Sequence, residues 1–172
     1  MSELTIEAEL IFEPLGPSHD RAAFSCGVPP LDKYLQTQAS QDMKKSLAAV
    51  YVLTPDGKTI AGFYTLSAHS VELDKIPDEI AKKLTRMPEV PATLIGRLAR
   101  SNAFPGQRIG ESLLADALKR SLANSKSVAS WAVIVDAKDA NAVVFYKKYG
   151  FIEIPSAPNR LFLPMETIAK LY

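Results

Sequence analysis

The sequence predicts a single α/β domain over residues 1–172, built on a mixed sheet that is covered by helices. The chain of 172 residues has 47% hydrophobic and 23% charged residues, which suits one domain with a substantial core. Strand-like and helix-like segments alternate along it. Residues 128–137 form a nearly continuous apolar run, as in a central strand that is buried on both faces.

The strands are predicted from apolar patterns that lie between turn residues. A turn signal, Pro55-Asp56-Gly57, separates the second and third strands and predicts a hairpin. A proline-rich loop separates the last two strands. The predicted strands cover residues 6–12, 47–53, 59–71, 92–100, 128–137, 151–154 and 160–163.

Four segments are predicted as helices. Residues 31–45 contain no Gly or Pro and follow Pro29-Pro30, which is typical of a helix start. Residues 78–86 are short and basic and lie between two prolines. In the last helix, Phe145, Tyr146 and Tyr149 share one face with Ala142. The predicted helices cover residues 31–45, 78–86, 110–123 and 139–149.

The composition argues against several classes of protein. No apolar run reaches the roughly 20 residues of a membrane span. The acidic N-terminus, MSELTIEAEL, lacks the basic-then-apolar order of a signal peptide. The single cysteine, Cys26, cannot form an internal disulfide, and no Cys/His cluster indicates a metal site. We therefore expect a cytoplasmic protein without a metal.

Residues 104–114, FPGQRIGESLL, join a predicted strand to a predicted helix. The two glycines, Gly106 and Gly110, permit close backbone approach and unusual dihedral angles. The first amides of a helix have no intrahelical acceptor and lie at the positive end of its dipole, which suits a phosphate. The spacing matches neither a Walker A loop nor the G-x-G-x-x-G pattern. Alone, the loop is equally consistent with a tight turn that binds no phosphate.

Four motifs together, LIGRLAR, PGQRIGESLL, VDAKD and FYKKYGF, resemble the GNAT N-acetyltransferases in order and spacing. The resemblance implies a mostly antiparallel sheet with two splayed strands and acetyl-CoA as co-substrate. It assigns backbone contacts with the pantetheine arm to Leu98, Ala99 and Arg100. The residues implied to hold the pyrophosphate are Gly106, Gln107, Arg108, Ile109, Gly110 and Glu111.

The chain departs from the family pattern at several positions. Pro105 replaces the first basic or amide residue of the loop, and Arg108 replaces its middle glycine. Asp139 stands where many relatives carry an asparagine that contacts pantetheine, with Asn141 two residues further. The resemblance also includes Phe145 among the residues near the cofactor.

The resemblance extends to a subgroup of the family, the GNAT toxins of bacterial toxin–antitoxin pairs. It includes FSCGVPPLDKYLQTQASQD and FYTLSAHSVEL. It implies acetylation of the α-amino group on charged tRNA, which blocks translation, neutralisation by a ribbon-helix-helix antitoxin, and a homodimer. The alternatives are acetylation of a small-molecule amine or a protein N-terminus, and an acyl-CoA-binding regulatory domain without turnover.

The chemistry of such an acceptor fits a site without a strong base. Residues 91–110 contain no Asp or Glu, whereas an α-amine titrates near 7.7–8.0 and lower beside an ester. The remaining task is to protonate the leaving CoA thiolate, a role that the resemblance gives to Tyr146; the alternative is a buried core tyrosine. His69 has no assigned role.

A tRNA substrate predicts basic residues at the surface. The candidates are Lys82, Lys83, Arg86 and Arg97, within a segment that is richer in bases than in acids. An ordinary solvated helix face explains Lys82 and Lys83 equally well.

Overall fold

The structure is a computed structural model that describes residues 9–84, 87–105 and 108–172. Its strands follow the predicted order, with shifted ends. The predicted first strand, residues 6–12, is observed only from Ile11, and residues 6–8 lie outside the described part. The strands are β1 Ile11–Pro14, β2 Ala49–Thr54, β3 Gly62–Glu72, β4 Glu89–Arg100, β5 Ala132–Asp136, β6 Ile152–Glu153 and β7 Arg160–Pro164.

The strands of the described residues form a seven-stranded sheet in the order β1-β2-β3-β4-β5-β7-β6. β1 pairs antiparallel with β2, and β7 pairs antiparallel with both β5 and β6. β4 and β5 are parallel, with Ala92 opposite Ala132 and Ile95 opposite Val135. The mixed, mostly antiparallel sheet that the sequence and the resemblance predicted is confirmed.

The helices agree less closely with the prediction. They are α1 Pro29–Thr37, α2 Ala39–Lys44, α3 Asp78–Ala81, α4 Ile109–Asn124, α5 Ala140–Lys148 and α6 Met165–Leu171. The prediction of one helix over residues 31–45 is wrong, because the segment breaks at Gln38. Just before the break, the Thr37 hydroxyl donates to the Lys33 carbonyl at 2.7 Å, a side-chain bond that often accompanies helix bending.

Two further differences concern short helices. The sequence analysis missed α6, whose Met165 and Ile168 are buried. α3 is shorter than the predicted residues 78–86, and the last two of those residues lie outside the described part. Among the described residues, no helix is both long and apolar enough to cross a membrane.

The chain divides into two compact units. The first contains the chain up to Tyr64 together with Leu98–Leu113. Its core is organised around Phe63, whose ring lies edge-on to Phe24, with centroids 5.4 Å apart, and stacks on Tyr34.

The second unit contains Thr65–Arg97 and Leu114–Tyr172. Its core includes Ala132 and Ile134 of β5 and Phe162 of β7. Trp131 stacks on Phe162 with ring centroids 5.4 Å apart. The sequence-based expectation of one domain over residues 1–172 stays a prediction.

Candidate functional site

In the first unit, the turn that follows β4 is held by backbone hydrogen bonds. The Ser101 amide donates to the Ala61 carbonyl at 2.8 Å, and the Asn102 amide donates to the Ser25 carbonyl at 2.8 Å. The Ser101 hydroxyl, on a buried residue, accepts from the Ala103 amide at 3.2 Å. The entry to the glycine-bearing loop is therefore fixed by this unit's own backbone.

Arg108 forms the other end of this loop, immediately before α4. Its φ is +48°, in the left-handed region, and its carbonyl accepts from the Ser112 amide at 3.1 Å. A left-handed conformation costs roughly 1–2 kcal/mol for a residue with a Cβ. Its side chain is 85% exposed, with Nε 3.9 Å from Glu111 Oε2. A residue with a strained backbone, Arg108, therefore stands immediately before α4, whereas Gly110 lies within the helix.

The first turn of α4 is seated by side chains that point into the core. Ile109 and Leu113 are completely buried. A Cβ added to Gly62 of β3 would lie 2.8 Å from Leu113 Cδ1 and 3.0 Å from the Ala99 carbonyl oxygen. Gly62 therefore permits the close approach of the helix, a role that the sequence analysis missed because its signal is tertiary contact.

The backbone at the start of α4 fits an anionic diphosphate. The amides of Ile109, Gly110 and Glu111 occupy the first turn of a 16-residue helix, where no intrahelical acceptor exists and the dipole is positive. The Arg108 guanidinium adds an exposed positive charge. Of the other residues predicted to contact acetyl-CoA in this region, Gly106 and Gln107 lie outside the described residues.

The predicted pantetheine contacts are the last three residues of β4. Leu98 is half-buried, Ala99 is buried and Arg100 is exposed. They lie further along β4 than Ile95, the last residue in the register of the β4–β5 pair. The structure therefore brings Leu98, Ala99 and Arg100 into the same unit as the start of α4.

In the second unit, α5 begins just after β5. Asp139 is its N-cap, and the Asp139 Oδ1 accepts from the Ala142 amide at 2.9 Å. The Asp139 carboxylate thus stabilises the start of the helix. Asn141 is exposed, and the half-buried Phe145 ring contacts the rings of Tyr146 and Tyr149.

Tyr146 is 6% exposed and lies on α5 between two other rings. Its ring centroid is 5.2 Å from that of Phe145 and 5.4 Å from that of Phe151. Burial, and then the negative charge of Asp136, raise the pKa of Tyr146 to about 12. The hydroxyl therefore remains protonated at neutral pH and is available as a donor.

Asp136, at the end of β5, is held by two hydrogen bonds from one guanidinium. Arg160 Nε donates to Asp136 Oδ1 at 2.7 Å and Nη2 donates to Oδ2 at 2.9 Å, while Nη1 lies 3.2 Å from His69 Nε2. We call Asp136, Arg160 and His69 the polar cluster. Asp136 was within the VDAKD motif but received no role, and Arg160 was missed because only folding brings it opposite Asp136.

The protonation of His69 follows from its partner. A guanidinium only donates, so His69 Nε2 accepts and the proton of the neutral ring is on Nδ1. Burial, and then the charge of Arg160, lower the pKa of His69. The neutral ring has one unprotonated nitrogen, and that nitrogen faces Arg160.

The residues predicted to bind tRNA lie in different surroundings. Lys82 and Lys83 are exposed, and Lys82 lines a groove. Arg97 is on β4, where its amide donates to Thr65 Oγ1 at 3.1 Å, and Arg86 is outside the described residues. The other charged residues described along the groove are acidic: Glu72, Asp74, Asp78 and Glu89.

Within residues 9–84, 87–105 and 108–172, no group of three or more His, Cys, Asp or Glu side chains could hold a metal ion.

Comparison with known sequences places the second half of the chain in a family. Residues 84–167 match the acetyltransferase (GNAT) domain. A probable toxin TacT of Sinorhizobium fredii is 34% identical over 95% of this chain and 96% of its own length. A tRNA-acetylating toxin of Mycobacterium tuberculosis is 31% identical over 88% of this chain and 90% of its own length.

Solved structures of KacT and AtaT resemble this fold over nearly the whole chain. A Tyr-to-Phe mutant of KacT has a TM-score of 0.88 at 28% identity, covering 95% of this chain and 99% of KacT. AtaT complexed with acetyl-methionyl-tRNAfMet has a TM-score of 0.86 at 29% identity, with coverage of 95% and 99%.

A second AtaT structure contains part of an antitoxin and acetyl-CoA. A Tyr-to-Phe AtaT mutant bound to the C-terminus of the antitoxin AtaR and acetyl-CoA has a TM-score of 0.80 at 26% identity, covering 95% of this chain and 98% of that one. The sequence match to residues 84–167 and the similarity to full-length relatives agree with the four motifs in the sequence. The chain belongs to the GNAT acetyltransferase family, in the group that contains the probable toxin TacT and the tRNA-acetylating toxin.

Proposed function

We propose that this protein transfers the acetyl group of acetyl-CoA to the α-amino group of the amino acid on charged tRNA, and so blocks translation. The observation that carries the proposal is the 31% identity to a tRNA-acetylating toxin over 88% of this chain. The similarity to AtaT complexed with acetyl-methionyl-tRNAfMet supports the same class of acceptor.

The first unit offers the groups that acetyl-CoA needs for binding. The first-turn amides of α4 and the exposed Arg108 guanidinium suit the diphosphate, and we assign Gly106 and Gln107 to the same loop. The backbone of Leu98, Ala99 and Arg100 is assigned to the pantetheine arm. We also retain Asp139, Asn141 and Phe145 as cofactor contacts, although the Asp139 carboxylate already caps α5.

The acceptor amine requires little help in losing its proton. An α-amine has an ordinary pKa near 7.7–8.0, and the neighbouring ester lowers this pKa. A large fraction of the amine is therefore unprotonated at neutral pH. Among the described residues 91–105 and 108–110 of β4 and the following loop, no carboxylate is present. The group therefore needs orientation more than it needs a strong base.

Tyr146 is the proposed donor to the sulfur that leaves. Acetyl-CoA, when bound, supplies the acetyl group as a thioester. Because the pKa of Tyr146 is raised to about 12, complete proton transfer to a thiolate of pKa roughly 8.5 is uphill by about 5 kcal/mol. Tyr146 therefore stabilises the developing negative charge on sulfur chiefly as a hydrogen-bond donor. As the C–N bond forms and the C–S bond breaks, the attacking nitrogen loses a proton to solvent, and solvent returns a proton to the departing thiolate.

The remaining assignments concern partners and location. We propose a ribbon-helix-helix antitoxin as the neutralising partner, a homodimer, and action in the cytoplasm, all within a single domain. The similarity to AtaT bound to the C-terminus of an antitoxin supports the first of these.

We propose Lys82, Lys83, Arg86 and Arg97 as contacts with tRNA phosphates. Each neutralised phosphate contributes roughly −0.7 to −0.9 to the slope of log K against log salt. Reversing the charge of Lys82, Lys83 and Arg86 together should flatten the slope. Since Lys82 lies beside four acids, an unchanged slope would move the contact to Arg97 and Arg100.

The direct test uses labelled acetyl-CoA with four pools of acceptor: total charged tRNA, deacylated tRNA, polyamines and peptides. Label on charged tRNA alone supports the proposal. Label on polyamines or peptides, with none on tRNA, would refute it and favour the small-amine or N-terminal acetyltransferase. Absence of turnover with every acceptor, in protein that still binds acetyl-CoA, would favour the regulatory domain.

A further inference from the structure

The polar cluster of Asp136, Arg160 and His69 has no part in the function proposed so far. It joins three strands of the second unit, because Asp136 ends β5, Arg160 begins β7 and His69 is on β3. Asp136 and Arg160 are opposite each other in the register of the β5–β7 pair. The cluster is partly open to solvent, with side-chain exposures of 46% for Asp136 and 34% for Arg160.

The cluster adjoins, along the chain, the helix that carries Tyr146, because β5 ends at Asp136 and α5 begins at Ala140. In agreement with this placement, the negative charge of Asp136 adds to the effect of burial in raising the pKa of Tyr146. Two other acids of this unit, Asp139 and Glu153, have separate partners: Asp139 caps α5, and Glu153 pairs with Lys147 at 2.7 Å.

The reaction constrains where the acceptor amine lies. An attacking atom must approach to about 3–3.5 Å of the carbon that it attacks. If Tyr146 donates to the sulfur on the same carbon, the amine lies within a few ångströms of the Tyr146 hydroxyl. The amine donates hydrogen bonds, and its protonated form carries a positive charge, so the complementary group is a carboxylate.

We propose that Asp136 binds the α-amino group of the acceptor, and that Arg160 and His69 are positioning residues that hold its carboxylate. The inference rests on the proposed acetylation of an amine with Tyr146 as the donor. It supplies a carboxylate, which the described residues 91–105 and 108–110 do not contain.

The hydrogen bonds define what each member does. The two bonds from Arg160 occupy one lone pair on each Asp136 oxygen, and each oxygen keeps another for the amine. His69 fixes the guanidinium by accepting from Nη1. His69 is not a base in this arrangement, because its unprotonated nitrogen already accepts from Arg160.

The test compares two forms of one substrate in the absence of acetyl-CoA. One is the charged tRNA that the wild-type protein acetylates fastest; the other is the same tRNA after conversion of the α-amine to a hydroxyl. At pH 6 the amine is protonated. The wild-type protein should bind the amine form about tenfold more tightly than the hydroxyl form. This ratio is at the low end of the contribution of a charge-assisted hydrogen bond, because the carboxylate is partly exposed.

Asp136→Asn should bring the ratio of the affinities for the amine and hydroxyl forms close to one, while leaving the affinity for acetyl-CoA unchanged. In turnover, KM for charged tRNA should rise more than kcat falls. The matched control is Glu153→Gln, which also converts an ion-paired carboxylate of this unit to an amide and should keep the tenfold preference. An Asp136→Asn protein that melts as wild type does and keeps the preference would overturn the inference.

The positioning residues provide a test that does not depend on the folding of Asp136→Asn. Arg160→Lys keeps the charge but loses the two-point hold, and should reduce the preference about threefold. His69→Gln keeps an acceptor for Arg160 and should behave as wild type, whereas His69→Leu should resemble Arg160→Lys. Equal preference in all three variants and wild type would also refute the proposal.

Failure of the inference and failure of the proposed function give different results. If wild type acetylates a small amine and no tRNA, the proposed function fails, and the comparison is repeated with that amine and its hydroxyl analogue. Loss of the preference in Asp136→Asn then still supports the amine site. If wild type acetylates charged tRNA but Asp136→Asn keeps the preference, only the inference fails.

Discussion

The two regions proposed to bind substrates use different parts of the polypeptide. At the start of α4, the binding groups are backbone amides, and side chains serve mainly to seat the helix, as Ile109 and Leu113 do. Around Tyr146, the binding groups are side chains, held by ring packing and by the hydrogen bonds of Arg160 to Asp136. The first region should therefore respond to changes of shape, and the second to the loss of single atoms.

The largest expected effect is that of Tyr146→Phe, which removes one oxygen from the side-chain region. The ring and its packing remain, so folding and acetyl-CoA affinity should persist. General acid catalysis is typically worth about 10²–10⁴-fold, and a thiolate is a tolerable leaving group, so we expect kcat to fall about 100-fold. Tyr149→Phe, at the C-cap of α5, is the control and should retain kcat.

In cells, the same pair of variants should separate toxicity from folding. Tyr146→Phe should relieve growth inhibition without the antitoxin, whereas Tyr149→Phe should not. Full turnover by Tyr146→Phe at saturating substrates would mean that another group stabilises the departing sulfur.

A change of shape alone should disturb the backbone region. In Gly62→Ala, the new methyl group would lie 2.8 Å from Leu113 Cδ1 and 3.0 Å from the Ala99 carbonyl oxygen, so the atoms that seat the start of α4 must shift. Overpacking of this kind typically costs about 1–3 kcal/mol. We expect a lower free energy of unfolding in urea and about tenfold weaker acetyl-CoA binding by calorimetry.

The control for that prediction is Gly16→Ala, in the same unit. A Cβ added at Gly16 would lie 4.0 Å from the nearest atom, the Pro14 carbonyl oxygen, which is an ordinary contact. Gly16→Ala should therefore keep both stability and affinity. Equal affinities for the Gly62→Ala and wild-type proteins would show that the position of α4 does not govern cofactor binding.

Arg108 combines the two kinds of contribution, because its backbone is strained and its side chain is charged. Arg108→Ala removes the charge and keeps the strain, whereas Arg108→Gly removes both. Both should weaken acetyl-CoA binding several-fold through loss of the guanidinium. Arg108→Gly should be about 1 kcal/mol more stable than Arg108→Ala, as measured by urea unfolding. Equal stabilities would indicate that the unfolded glycine's added freedom offsets the strain.

The smallest effect concerns the pH dependence of stability in the side-chain region. The folded pKa of Tyr146, about 12, lies above its ordinary value of 10, so the protonated hydroxyl contributes stability that is present below pH 10 and lost as pH rises toward 12. The difference in unfolding free energy between wild type and Tyr146→Phe should shift by about 1 kcal/mol between pH 9 and pH 11. A constant difference would mean that the folded protein does not raise this pKa.

The sequence alone determined the order of the strands, the long helix α4 and the helix that carries Tyr146. These follow from local patterns: an apolar run for β5, a turn signal at residues 55–57, and helical periodicity after residue 139. The motifs also indicated the family, since spacing along the chain is itself the signal. The break at Gln38 and the short α6 had no comparably strong local signal.

Tertiary structure alone decided which residues meet. Asp136 and Arg160 are 24 residues apart, and only the β5–β7 register brings them together; His69 joins them from 91 residues away from Arg160. Gly62 is required because α4 approaches β3 there, and Arg108 has a positive φ immediately before that helix. Local patterns encode the conformations of segments, but contacts between distant segments depend on how those segments pack, and packing sets the burial and charge that tune Tyr146.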